Sequence, residues 1–73
     1  MNRLQLIDIL EDKNVPRSHY STKGGKEDAV CILETDGGFE LVYYEKGNKR
    51  SYGTYDDEAL VCKVMLNILN VKI

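Results

Sequence analysis

His19, Cys31 and Cys62 carry the strongest intrinsic chemistry in this chain: one imidazole able to take a proton near neutral pH, and two thiols that such a base can activate. A thiol attacks as its thiolate, which needs a base or cation beside it and access to solvent. The sequence signals neither. Both cysteines lie in apolar runs, 29–33 and 60–66, whereas His19 sits in a polar stretch, and no C-x-x-C or Cys/His spacing joins the three. They read as buried, reduced thiols and a surface imidazole. A disulfide between the two cysteines stays open at this point, because bridging depends on a separation that sequence does not report.

Asp56, Asp57 and Glu58 form the densest acidic cluster. Three successive carboxylates can collect a divalent cation, but acids at a helix start also satisfy free backbone N–H groups and favour the positive end of the dipole. Because a long apolar run follows, capping explains them, with Asp56 as N-cap. Gly24-Gly25 and Gly37-Gly38 are turn signals, and neither glycine-rich phosphate-binding pattern is present. The other acids show no pairing that would drive two pKa values apart, as acid–base work requires. The reading is a non-enzymatic chain with no metal and no cofactor.

The elements that would position these residues follow from periodicity. Leu4, Leu6, Ile7, Ile9 and Leu10 recur at helical spacing, which predicts a helix over 3–13, stopped by Asn14, Val15 and Pro16. Residues 19–22 suit a short strand. The β-rich stretch 29–33, the turn Asp36-Gly37-Gly38 and the stretch 39–44 predict a hairpin, and a turn at 46–49 leads into another strand over 50–55. Alternation places Phe39, Leu41 and Tyr43 on a core face. A Gly47-Asn48 turn would set Tyr43 opposite Tyr52, and would put Ser51 and Gly53 with Glu40, Val42 and Tyr44 on a second, wet face. The face taken by Cys31 and Leu33 depends on whether the first loop has two residues or three. A last helix runs from Asp57 to about Val71, with Tyr55 stapled onto Leu60. Its polar stripe of Lys63, Asn67 and Asn70 leaves an apolar arc of roughly 260°. Either the two helices and the sheet enclose that arc, or part of it, through Leu60, Val64 and Leu66, forms a homodimer contact.

The expected fold is therefore α+β, in the order α-β-β-β-α: a three-stranded antiparallel meander, with an extra short strand near Tyr20 as an option, and two helices packed on one face. With 73 residues, 42% apolar and 30% charged, one domain spanning 1–73 is expected. The start of the chain does not read as a signal peptide and no apolar run is long enough to span a bilayer, so a cytoplasmic protein is expected. The net charge of −2 argues against nucleic-acid binding. The element order is also that of the double-stranded RNA-binding domain, but that family would place lysines where Asp56, Asp57 and Glu58 stand.

Taken together, Leu6, Ile9-Leu10, Val15-Pro16, Tyr20-Ser21, Gly24-Gly25, Cys31-Ile32-Leu33, the run from Gly38 through Phe39-Glu40-Leu41-Val42-Tyr43-Tyr44-Glu45-Lys46 to Gly47, and Tyr55-Asp56-Asp57-Glu58 are similar to a known pattern. The chain resembles the small immunity proteins of bacterial polymorphic toxin systems over nearly its whole length. It departs from them at Phe39, where tryptophan is usual, at Lys46, where arginine is usual, and at Ala59, which only approximates the family's alanine. The resemblance implies a protein that binds a cognate toxin domain and blocks its active site or substrate path. An acidic surface suits a toxin with a basic cleft. Glu40 and Tyr44 on the second sheet face, with Asp56, Asp57 and Glu58, are the expected partner-binding residues.

Overall fold

The computed structural model describes residues 1–72. Arg3–Asp12 form helix α1, Arg17–His19 a single 3-10 turn, Tyr20–Ser21 strand β1, Val30–Thr35 β2, Gly38–Glu45 β3, Asn48–Tyr55 β4, and Glu58–Ile68 helix α2. The strands lie in the order β1-β2-β3-β4, with β1 parallel to β2 and the other pairs antiparallel. The α+β class agrees with expectation, but the meander is a four-stranded mixed sheet. The polar segment after β1 supplies the physical reason: it crosses back along the sheet, so the chain enters β2 running the same way.

The stop signal after α1 works as its residues predict. Asn14 takes a left-handed conformation, φ 59°, while Val15 N–H donates to Leu10 O at 2.9 Å and Asn14 N–H to Glu11 O at 3.0 Å. The same device ends α2, where Asn70 has φ 60° and Val71 N–H donates to Leu66 O at 2.9 Å. Helix α2 therefore stops at Ile68 rather than about Val71, and Asn70 belongs to the turn, not to the polar stripe. Its N-cap is Asp57, not Asp56, with Oδ1 accepting from Ala59 N–H at 3.1 Å. At the start of α1, Asn2 and Gln5 exchange hydrogen bonds of 2.9 Å in a capping box.

The first hairpin loop has two residues, which sets Cys31 opposite Val42, Ile32 opposite Leu41 and Leu33 opposite Glu40. The second turn is Lys46-Gly47, not Gly47-Asn48, and both residues adopt positive φ, 50° and 78°. Tyr43 consequently faces Arg50 instead of Tyr52. The pairing then shifts between Leu41 and Val42, leaving Tyr52 as an extra residue and bringing Gly53, φ 117°, opposite Leu41. That bulge moves Gly53 to the core face, away from Glu40, Val42 and Tyr44.

Both helices cover one face of the sheet. Leu6 and Leu10 of α1 and Val61, Cys62, Met65 and Leu66 of α2 pack with Tyr20, Val30, Ile32 and Leu41. This layer encloses most of the apolar arc of α2. Leu66 is a core residue, Val64 is half-buried against the same cluster, and only Leu60 of the three suggested dimer residues stays exposed, at 46%. The Tyr55 ring packs against the core, and its hydroxyl donates to Tyr52 O at 3.1 Å.

The second sheet face is drier than expected. Ala29, Cys31 and Val42 are fully buried there, with Leu33 and Tyr44 packed around them. The 22–29 segment is tied to the sheet by Gly24 N–H on Ile32 O, Asp28 N–H on Tyr44 O and Gly47 N–H on Glu27 Oε1. The Tyr44 ring lies against Gly25, where an added Cβ would come within 2.9 Å of it. Among the described residues, no helix is long and apolar enough to cross a membrane.

Candidate recognition surface

Arg3 is the centre of the polar structure, and its position follows from strand alternation. Val30, Ile32 and Glu34 share one face of β2, and Glu34 pairs with Phe39 of β3. The core face thus ends in a carboxylate and an aromatic ring. The Arg3 guanidinium fills this end, lying 5.2 Å from the Phe39 ring centroid and bridging Glu34 Oε1 at 2.7 Å and Glu58 Oε2 at 3.0 Å. The Arg3 backbone N–H also donates to Glu58 Oε2, at 2.9 Å, and Nη1 donates to Thr22 O at 3.4 Å. One side chain therefore ties α1 to α2, β2, β3 and the segment after β1.

These bonds favour the charged forms of Arg3 and Glu58. The Arg3 backbone N–H, then its guanidinium, hold the Glu58 carboxyl below its ordinary range, while the hydrogen bonds that the guanidinium donates to Glu58 and Glu34 push its own pKa up. The unfolded chain, with Glu58 near about 4.3, binds more protons than the folded one in the interval below that value. The contribution of Glu58 to stability is thus complete above the ordinary carboxylate range and is lost as pH falls through the depressed folded value. Urea titrations of the wild type and Glu58→Gln should show a gap in midpoint at neutral pH that narrows below about pH 4. A gap that stays constant into strong acid would show that Glu58 is not the titrating group.

Around Arg3 lies a depression of about 440 Å³, lined by Leu4 and Ile7 of α1, by Glu34 and Glu58, and by Thr22 and Lys23. Leu4 on its rim is 72% exposed, the highest value of any large apolar side chain described. Among the described residues, every buried side-chain nitrogen or oxygen has a hydrogen-bond partner. The surface is set up with charge and hydrocarbon side by side.

The five expected partner-binding residues do not come together. Glu40 and Tyr44 lie on the sheet face crossed by the 22–29 segment, a strap over Cys31 and Tyr44, and there Ser51 Oγ at 2.8 Å and Lys49 Nζ at 3.3 Å hold the Glu40 carboxyl below its usual range. Tyr44 is half-buried under the 22–29 segment. Asp57 is occupied as the N-cap, Asp56 is exposed just before it, and Glu58 belongs to the Arg3 depression on the helix side. No family model, curated protein or solved structure matches the chain. The site must be read from its geometry.

The thiols are placed apart. Cys31 belongs to the small cluster under the strap and Cys62 to the main core, so they lie on opposite faces of the sheet as free thiols, while His19 is exposed. Burial pushes both thiols above their ordinary pKa, the direction opposite to that of an activated nucleophile. Sequence reasoning missed Arg3 and Leu4. The signal that could have found Arg3 is Glu34, an acid in phase with Val30 and Ile32 and so placed at the end of the core face once the hairpin register is fixed. Leu4 was read as one apolar position among five, and nothing in its type distinguishes a rim residue from a core residue.

Proposed function

We propose that the chain is a non-catalytic protein-binding domain that neutralises a cognate bacterial toxin. The observation that carries the reading is the Arg3 depression, where an exposed leucine adjoins two carboxylates already fixed in place. Groups held before binding lose little freedom on binding, so the contact retains more of its gross energy. Glu58 and Glu34 each keep one oxygen beyond those bonded to Arg3, and Asp56 and Asp57 directly precede Glu58 in sequence. Such a surface suits a basic partner, whose association it accelerates by long-range attraction. The resemblance to immunity proteins supplies the class of that partner, a toxin domain with a cationic substrate path.

Calorimetric titration of the chain with a candidate toxin domain, sought first in the gene directly upstream, tests this reading. Leu4→Ala should leave thermal stability within about 0.5 kcal/mol of the wild type, as expected for an exposed site, and weaken binding about tenfold or more. Absence of wild-type binding at micromolar concentrations would remove the proposal. An unchanged affinity in Leu4→Ala would remove the depression as its site.

A further inference from the structure

The sheet has a second feature that the Arg3 surface does not use, the outer edge of β4. Tyr44 N–H donates to Ala29 O at 3.2 Å and Tyr44 O accepts from Asp28 N–H at 2.8 Å, so both backbone groups of Tyr44 turn toward the β2 side. Backbone direction alternates along a strand, so Tyr43 and Glu45 turn toward β4, and their partners Arg50 and Asn48 turn back to meet them. The N–H and C=O groups of Lys49 and Ser51 consequently point away from the sheet. Among the described residues, nothing pairs with them.

The regular stretch of this edge is short and its chemistry is one-sided. It runs over residues 48–51 and ends at the Tyr52 bulge, where the Tyr52 carbonyl is already bonded to the Tyr55 hydroxyl. Strand β4 contains no acidic residue. Lys49 is paired with Glu40 at 3.3 Å, whereas Arg50 is exposed and makes no ion pair among the described residues. Tyr52, 43% exposed, offers a ring beside the stretch.

Open edges of this kind take up a further strand, with main-chain bonds giving affinity and side chains giving selectivity. A second copy of the chain is disfavoured. Two-fold antiparallel pairing of the outward residues within 48–51 would set either Lys49 against the lysine or Arg50 against the arginine of the other copy, and like charges directly opposite are repulsive. An extended segment with acidic side chains meets the same edge with attraction. We propose that the outer edge of β4 receives an antiparallel, acidic, extended segment of a partner polypeptide. This surface is separate from the Arg3 depression, and the inference does not depend on the toxin reading.

The test uses the full chain, nitrogen-15 labelled, at low salt, with a capped hexapeptide alternating glutamate and valine as the probe and its lysine–valine counterpart as the control. The acidic peptide at millimolar concentration should slow exchange of the Lys49 and Ser51 amide protons about tenfold or more and shift the Tyr52 signals. The basic peptide should do neither. Arg50→Glu, an exposed change whose folding the same spectra report, should weaken the acidic peptide at least fivefold and admit the basic one. Three results would overturn the proposal: unchanged Lys49 and Ser51 exchange with the acidic peptide, protection that grows with protein concentration alone, or protection by an RNA oligonucleotide and not by the peptide.

Discussion

Leu41→Ala is expected to remove about 2–5 kcal/mol of folding stability. Leu41 is fully buried on the core face of β3, opposite Ile32 on one side and Gly53 on the other. Gly53 has no side chain to move into the vacated space, and Ile32 is itself enclosed by both helices, so the cavity cannot close by local collapse. A domain of this size holds a margin of only about 3–5 kcal/mol, which places the variant near or beyond its unfolding midpoint in water. Urea unfolding followed by far-ultraviolet circular dichroism measures this directly. Leu60→Ala, on the exposed side of α2, should stay within about 0.5 kcal/mol of the wild type. A loss below about 1 kcal/mol in Leu41→Ala would mean that the two layers do not meet at Leu41 as described.

Gly38→Ala is the second large effect, and its contrast with Gly37→Ala isolates the cause. A Cβ on Gly38 would overlap the Tyr55 carbonyl oxygen and come within 3.0 Å of Asp56 Cα, both backbone atoms that cannot swing aside. On Gly37 the same atom would meet nothing within 4 Å, and its φ lies outside the left-handed region. The first substitution must part β3 from the end of β4 just before the α2 cap, at an expected cost of about 1–3 kcal/mol, as overpacking usually exacts. The second should be neutral or slightly stabilising, because alanine restricts the unfolded chain more than glycine does. Equal stabilities for the two variants would contradict the close approach.

The parts of this fold that were legible in the sequence are those decided by one residue type in one local setting. Asn14 before Val15 and Pro16 ends α1 because asparagine tolerates the left-handed conformation and proline cannot continue the ladder. Asp36-Gly37 turns the first hairpin because short polar residues suit a two-residue loop. Register was less legible. The second hairpin offered two adjacent turns, Lys46-Gly47 and Gly47-Asn48, and the choice fell to the pair that puts glycine at the second turn position. The Tyr52 bulge then reversed the face of Gly53, and no single residue announces a bulge beforehand.

The parallel placement of β1 and the cover over Cys31 were also hidden, for a related reason. The 22–29 segment has a loop's composition, and its binding to the sheet runs largely through backbone groups of Gly24, Asp28 and Ala29, with the Glu27 carboxylate accepting from Gly47 N–H, contacts that leave no periodic signal in the sequence. Of the expected site residues, Glu58 lies in the depression, because an acid at the first turn of α2 falls beside Arg3 of α1. Alternation puts Glu40 and Tyr44 on the sheet face they occupy, but the segment packed against the Tyr44 ring could not be inferred from β3 alone.

Growth of cells producing a candidate toxin domain, with and without this chain, is the measurement closest to the central claim. Recognition without chemistry predicts rescue by the wild type and equal rescue by His19→Ala, Cys31→Ala and Cys62→Ala, each shown to be folded by circular dichroism. Rescue that vanished in any of these folded variants would contradict the claim, and so would a wild type that protected no cell.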